Sequence, residues 1–364
     1  MRDQVRQADV ACRLGGDEFL VLLNNLHDRD GITEVARHIC EALHQPYQVG
    51  ALSLSLSTSI GISVFPRDGT DIDTLISRAD AAMYQAKQNG RNGFHFYSPD
   101  LAQRSLTISS IEEQIQTALT HEQFRLNYQP VVNIATGAVI SVEALLRWQH
   151  AEIGPDRFVP VAEVSGQIDR IGDWVIAQAC RQSNMWREHG MAPIPIAINV
   201  SAVQFRHRDF ADHFAQILLQ FDVAPSAVQL ELTETALMEN IDYTISTLLR
   251  LQAMGVIIAL DDFGTGYSSL TYLSRLPIDK IKVDKSFIQR IEEDMPSRAI
   301  TEAVIALGRT LHLDIVAEGI ESELTLDYLR VHGCDQAQGF HVCKPVEPDV
   351  LESWCRSRDM SVLH

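Results

Sequence analysis

Glu143, Asn199, Glu231, Glu234, Asp261, Asp262, Lys282, Glu318 and Gln338 lie in or just after short apolar runs. Examples are Ile-Ala-Ile-Asn-Val ending at 200, Val-Gln-Leu-Glu-Leu-Thr-Glu ending at 234, Ile-Ile-Ala-Leu-Asp-Asp ending at 262 and Ile-Val-Ala-Glu ending at 318. Carboxylates gathered in a partly buried place repel one another by kcal/mol unless cations stand among them. Donors that are all oxygen, with no Cys or His, suit a hard divalent ion, Mg²⁺ or Mn²⁺, better than zinc. Two such ions held close together clamp and cleave phosphate esters. Any one of these acids, taken singly, reads more plainly as a helix N-cap or a solvated strand end. As a set recurring on one side of successive strands, they point to metal chemistry. Lys282 is the weaker sign, since a strand-end lysine is commonly just solvated.

Positioning such a set requires strands that converge. Apolar runs over 124–132, 139–146, 196–200, 228–232, 256–260, 278–283 and 314–317 and near Gln336 read as strands. Amphipathic segments over 174–187, 210–221, 241–254 and 300–311 read as helices between them. This alternation, roughly 240 residues long, fits either a doubly wound sheet or an eight-stranded barrel. No G-x-G-x-x-G opens a helix, which counts against a dinucleotide fold. The first two strands join through Thr136-Gly137 with no helix, so a barrel would be irregular at its start. In a barrel of parallel strands the C-terminal ends meet at one mouth, which would gather the acids in one pocket.

The first hundred residues have another rhythm. Leu52, Leu54, Leu56, Thr58, Ile60, Ile62 and Val64 alternate with small or polar residues up to Pro66-Arg67-Asp68-Gly69, predicting one long strand ended by a turn. A helix is expected over 71–88, a linker at 97–100 and a further helix over 106–119.

Composition bounds the function. Asp and Glu total 48 against 30 Lys and Arg, a formal charge of −18, so the overall field repels duplex nucleic acid and anionic membrane surfaces. The six cysteines form no C-x-x-C pair, which argues against a zinc site and a disulfide framework and favours a reducing cytoplasm. No apolar stretch approaches the ~18 residues of a membrane span, and the N-terminus has no signal-peptide core.

Glu143-Ala144-Leu145, Asn199-Val200-Ser201, Glu231-Leu232-Thr233-Glu234, Asp261-Asp262-Phe263-Gly264-Thr265-Gly266, Lys282-Val283-Asp284, Glu318-Gly319 and Gln338-Gly339-Phe340 together resemble the EAL family of cyclic di-GMP phosphodiesterases. The resemblance implies an irregular TIM (β/α)8-type barrel that hydrolyses cyclic di-GMP to linear pGpG with Mg²⁺ or Mn²⁺, held as two ions. It implies Glu143, Asn199, Glu231, Asp261, Asp262 and Glu318 as metal ligands, Lys282 to position or deprotonate the attacking water, and Gln338 to orient the site. Arg147 would meet a ligand phosphate, and Asp262 would also belong to the substrate-binding residues. The run 263–269 would be a mobile loop anchored by Glu234. It also admits a homodimer through the EAL domain. A receptor that holds cyclic di-GMP without cleaving it is the competing class.

Arg13-Leu14-Gly15-Gly16-Asp17-Glu18-Phe19, with the helix Ala79-Asp80-Ala81-Ala82-Met83-Tyr84 and the turn Gly90-Arg91-Asn92, resembles the GGDEF diguanylate cyclases. Arg6 and Asp9 resemble that family's inhibitory product site. The metal-binding aspartate on the family's first strand has no counterpart here, so no synthesis of cyclic di-GMP from GTP is expected unless a longer chain completes the domain. The same lack would leave strand edges open near 19–23 and 53–64. The expected domains are an incomplete α+β GGDEF domain over 1–98, a linker and helix start over 99–110, and an EAL domain over 105–360.

Overall fold

This computed structural model describes residues 6, 8–24, 29–45, 47–49, 52–54, 57–88, 93–149, 153–238, 240–265 and 273–361, in two units, Met1–Ile115 and Gln116–His364. In the first unit β1 (Val10–Gly15) and β2 (Glu18–Leu22) form an antiparallel hairpin turned at Gly16, whose φ of +51° suits glycine. β3 (Tyr47–Val49) pairs antiparallel with β4 (Leu52–Leu54), and β5 (Ser59–Ile62) pairs parallel with β6 (Gly93–Phe96). The strand expected over 52–64 is therefore two strands with different partners. Alternation reports which face a residue takes, not which neighbour the backbone finds. Helix Ile72–Gln88 packs on β5 so closely that a Cβ on Gly61 would lie 1.8 Å from the Ala79 carbonyl oxygen.

The expected linker at 97–100 is shorter than its sequence suggests. β6 ends at Phe96 and one helix runs unbroken from Pro99 to Thr120, through the stretch 99–110. A proline at the first helical position has its φ preset and lacks an N–H that would otherwise go unpaired.

In the second unit β7 (Phe124–Asn133), β8 (Val139–Trp148), β9 (Ile196–Val200), β10 (Val228–Thr233), β11 (Ile257–Phe263), β12 (Lys280–Val283), β13 (Asp314–Ala317) and β14 (Gln336–Ala337) close into a barrel in that order. β7 runs antiparallel to both β8 and β14, and every other neighbouring pair is parallel. The expected irregularity is this hairpin, turned at Gly137 with φ +72°. Helices including Ile168–Glu188, Phe210–Gln220, Ile241–Met254 and Met295–Leu311 separate the later strands.

β10 shows why strands of this kind read as apolar runs. Val228, Leu230 and Leu232 are at most 1% exposed, and Gln229 and Glu231 between them are at most 2% exposed. The alternating sets take opposite faces, one toward the surrounding helices and one into the barrel, so both faces are buried. The barrel is thus an irregular (β/α)8 type whose inward face carries charge.

Candidate active site

Lys282, inward-facing on β12 and 1% exposed, is the centre of the charged face. Its ammonium lies 2.6 Å from Glu231 Oε2, 2.6 Å from Glu318 Oε1, 3.2 Å from Asp261 Oδ1 and 3.6 Å from Glu143 Oε2. Four strands or strand ends thereby deliver an acid to one cation. The solvated strand-end reading of this lysine does not hold, because barrel closure removes it from water. Burial works against its charge, yet Asp261, Glu143, Glu231 and Glu318 raise its pKa well above the ordinary lysine value.

Glu143 is held on both oxygens. Asn199 Nδ2 donates to Oε1 at 2.7 Å and Gln338 Nε2 donates to Oε2 at 2.6 Å. Burial opposes its ionisation, but Lys282 and these two amides keep its carboxyl below the ordinary value. Glu231 goes the other way: burial, with Glu143 and Asp261 adding and Lys282 opposing, pushes it well up. Burial also pushes Glu318 up to about 8, against Lys282 and with Asp261 and Glu143. One lysine does not neutralise so many buried acids, so the pocket favours additional positive charge.

The adjacent aspartates are brought to one side by a backbone irregularity. The pairing of β11 with β12 slips between Leu260 and Phe263, and Asp262 takes φ +53°, in the left-handed region. Consecutive strand residues otherwise point to opposite faces. Here a carboxylate oxygen from each of Asp261, Asp262 and Glu318 lies within 4.8 Å of the others. Burial raises the Asp262 carboxyl, with Asp261 and Asp284 adding to it. Such a cluster in such a conformation stores strain that ordinary packing does not require. Just after Glu318, Gly319 has φ +71°, and a Cβ there would come within 2.5 Å of Lys285 Cβ.

The remaining expected residues are placed as follows. Asn199 is exposed at the mouth, and it is the register partner of Glu231. Arg147, four residues after Glu143 on β8 and so on the same face, is half-buried and donates to the Leu146 carbonyl at 2.9 Å. Burial lowers its pKa while Glu143 raises it. Glu234 opens helix Glu234–Met238, is 5% exposed, and its Oε2 has no hydrogen-bond partner among the described residues. Phe263 belongs to β11, Gly264 and Thr265 follow it, and 266–272 of the expected loop lie outside the described residues.

In the first unit Gly16 and Asp17 form the exposed β1–β2 turn, with Gly15 ending β1 and Glu18 and Phe19 opening β2, all exposed. Asp9 accepts from the Arg6 and Asn24 backbone N–H groups, both at 2.9 Å, so its carboxylate ties the ends of the hairpin together. Gly90, Arg91 and Asn92 lie outside the described residues.

Sequence reading passed over a second set of polar residues inside the barrel. Gln129, Gln229, Lys280 and Gln336 are all at most 7% exposed. Gln129 is the register partner of Glu143, and the other three stand two positions before Glu231, Lys282 and Gln338. That spacing was the available signal: residues two apart on a strand share a face. Gln129 accepts from Gln338 at 3.1 Å, and Gln229 donates to Glu231 Oε1 at 3.0 Å.

Comparison with known proteins agrees with this geometry. Residues 112–345 match the EAL domain, and residues 1–93 match the diguanylate cyclase GGDEF domain. The chain is 42% identical over 354 residues to the bifunctional diguanylate cyclase/cyclic di-GMP phosphodiesterase MucR of Pseudomonas aeruginosa, covering 96% of this chain and 52% of that protein. It is 36% identical over 348 residues to the cyclic di-GMP phosphodiesterase PdeR of Escherichia coli, covering 95% of this chain and 52% of that protein. It thus spans about half the length of the curated relatives it matches. The solved structure titled PaMucR phosphodiesterase, c-di-GMP complex superposes with a TM-score of 0.65 at 44% identity, covering 66% of this chain and 99% of that one. With its barrel, its clustered acids and this match over most of its length, the chain belongs to the EAL domain family, with a GGDEF segment ahead of the barrel.

Proposed function

We propose that residues 105–360 form a metal-dependent phosphodiesterase that hydrolyses cyclic di-GMP to pGpG. The observation that carries the reading is the ring of buried Glu143, Glu231 and Asp261 and half-buried Glu318 around Lys282, with Asp262 turned into the same pocket. Relatives named as cyclic di-GMP phosphodiesterases and the complex of the MucR domain support the choice of substrate.

The donor set fits two hard divalent ions, Mg²⁺ or Mn²⁺, since it is all oxygen and deficient in positive charge. Glu143, Asn199, Glu231, Asp261, Asp262 and Glu318 would hold them. When bound, such ions lower the pKa of a water and draw charge from a phosphoryl oxygen. The protein's own groups do the rest. Lys282 is held charged by its acids, so it orients the attacking water by donating a hydrogen bond and does not take the water's proton. The Asn199 and Gln338 amides keep Glu143 ionised and fixed in orientation. Arg147, from the rim, meets a phosphate of the ligand. Glu234 offers Oε2, which has no hydrogen-bond partner among the described residues, to the residues that follow Asp262. The water gives one proton to solvent, its oxygen forms a bond to phosphorus, the P–O3′ bond breaks, and the leaving oxygen takes a proton from solvent. The six cysteines, half-buried or buried apart from exposed Cys12, suit a cytoplasmic site of action.

The deciding experiment is incubation of the purified protein with Mn²⁺ or Mg²⁺ and cyclic di-GMP, with chromatography for pGpG. Product that depends on metal and is lost in Glu143→Ala is the expected result. Tight cyclic di-GMP binding with no pGpG at any metal concentration would replace the enzyme by a receptor.

A further inference from the structure

Lys280 is a second buried cation in the barrel, one inward position below Lys282 on β12, and the reaction above makes no use of it. It is 5% exposed, and its ammonium donates to Gln336 Oε1 at 3.2 Å. Gln336 in turn donates through Nε2 to Asp314 Oδ2 at 2.9 Å, and Asp314 is the register partner of Lys280 on β13. The side-chain amide of Gln336 is therefore held at both ends.

That matters because of the strand it belongs to. β14 is only Gln336–Ala337, with two register pairs to β13 and two to β7. Just beyond it the Gln338 N–H donates to the Ala317 carbonyl at 2.9 Å, and the Gln338 carbonyl accepts from the Ile320 N–H at 3.1 Å. Each such backbone bond contributes only about 1 kcal/mol net, so a side-chain clamp on Gln336 adds materially to the few that seat this segment. Gln338 follows directly and shares the inward face with Gln336. Its amide must reach Glu143 Oε2 at 2.6 Å and Gln129 Oε1 at 3.1 Å. A slip of about 1 Å would break both contacts and leave Glu143 Oε2 with only the Lys282 ammonium 3.6 Å away.

We infer that Lys280 is a positioning residue: with Asp314 it clamps Gln336, and through β14 it sets the height at which Gln338 holds Glu143. The inference rests on the phosphodiesterase reading for its kinetic consequences only, since the clamp itself also governs how well Glu143 is oriented toward a metal ion.

The test uses Lys280→Met and Gln336→Met, which keep bulk and remove the polar link from either side, and the double variant. Three quantities are measured: Mn²⁺ affinity by calorimetry without substrate, kcat and KM for cyclic di-GMP, and the thermal midpoint. Loss of an outer hydrogen-bond partner of a metal ligand typically costs about 10–100-fold. The expected result is a fall of that size in kcat and in Mn²⁺ affinity, with KM changed less than about threefold, in both single variants. The double variant should be no worse than the poorer single one, since both act through one link. Lys280→Arg, which keeps a donor, should recover most of the loss. Should Lys280→Met fail to fold, Gln336→Met carries the test, and wild-type Mn²⁺ affinity in it overturns the inference. Losses that add in the double variant also overturn it. If the unaltered protein makes no pGpG, the phosphodiesterase reading has failed, and the Mn²⁺ affinities still decide the role of Lys280.

Discussion

Glu231 and Glu18 are both acids on β-strands, in different units of the same chain. Glu231 is 1% exposed inside an eight-stranded closed barrel, fixed by Lys282 and Gln229, and its carboxyl is pushed well up by burial. Glu18 opens β2 in a two-stranded hairpin and faces solvent, as do the neighbouring Leu14 at 56% and Phe19 at 51%. The two residues differ in how many strands surround them. Closure gives every barrel strand two partners and a dry interior, whereas each first-unit strand has one partner among the described residues. Reactive character in this protein therefore follows from enclosure, which a two-stranded ribbon does not supply.

The largest expected effect is at the enclosed acids. Glu143→Ala and Lys282→Met should each lower kcat for cyclic di-GMP hydrolysis by about 10³-fold, with the fold retained by circular dichroism. A Lys282→Met protein within tenfold of the unaltered kcat would break the claim that this lysine acts on the water.

The barrel's packing should respond next. Leu230, fully buried on β10, should cost about 2–5 kcal/mol when cut to alanine, read as a shift in the chemical denaturation midpoint of the barrel. Phe19, its counterpart on the hairpin, is half exposed.

Acid titration sharpens the comparison from the electrostatic side. Glu318 is pushed by burial from an ordinary 4.5 up to about 8. A metal ion must displace that proton and any that the likewise raised Glu231 binds, so Mn²⁺ affinity should rise with pH by up to about tenfold per unit for each proton displaced, with the Glu318 share levelling off near pH 8. For the metal-free protein the sign follows from linkage. The folded carboxyl binds its proton more tightly than the unfolded one, so between about pH 4.5 and 8 the native state holds more protons and stability falls as pH rises. Denaturation of chelator-treated protein at pH 5.5 and 8.5 measures this, and greater stability at the higher pH would contradict the assignment to Glu318.

The smallest effect belongs to the hairpin. Phe19→Ser should alter the stability of the chain by no more than about 0.5 kcal/mol, the range of an exposed substitution. A loss above about 2 kcal/mol would show that β2 is covered in solution, and would remove the contrast with β10.

Much of the site was legible because the barrel strands are buried on both faces. That burial turned β9, β10, β11 and β13 into apolar runs in which Asn199, Glu231, Asp261 and Glu318 stood out. Less legible were the residues two positions earlier. Gln229, Lys280 and Gln336 lie at or next to the N-terminal starts of their strands, away from the C-terminal ends where the acids gather, and only the alternation of faces joins them to the site. The 52–64 segment misled for a related reason: one periodic pattern covers β4 and β5, yet β4 pairs with β3 and β5 with β6.

Sequence alone determined which residues are acids, that they follow apolar runs, and that strands and helices alternate after 124, since all three depend only on local order along the chain. Tertiary structure decided that Lys282 is the hub of four acids and not a solvated end. It also decided that Asp261 and Asp262 share a side, through a left-handed residue at a register slip, and that burial pushes the Glu318 and Glu231 carboxyls above the ordinary range. Those properties come from distances between strands far apart in sequence and from the exclusion of water between them, and neither exists until the barrel has closed.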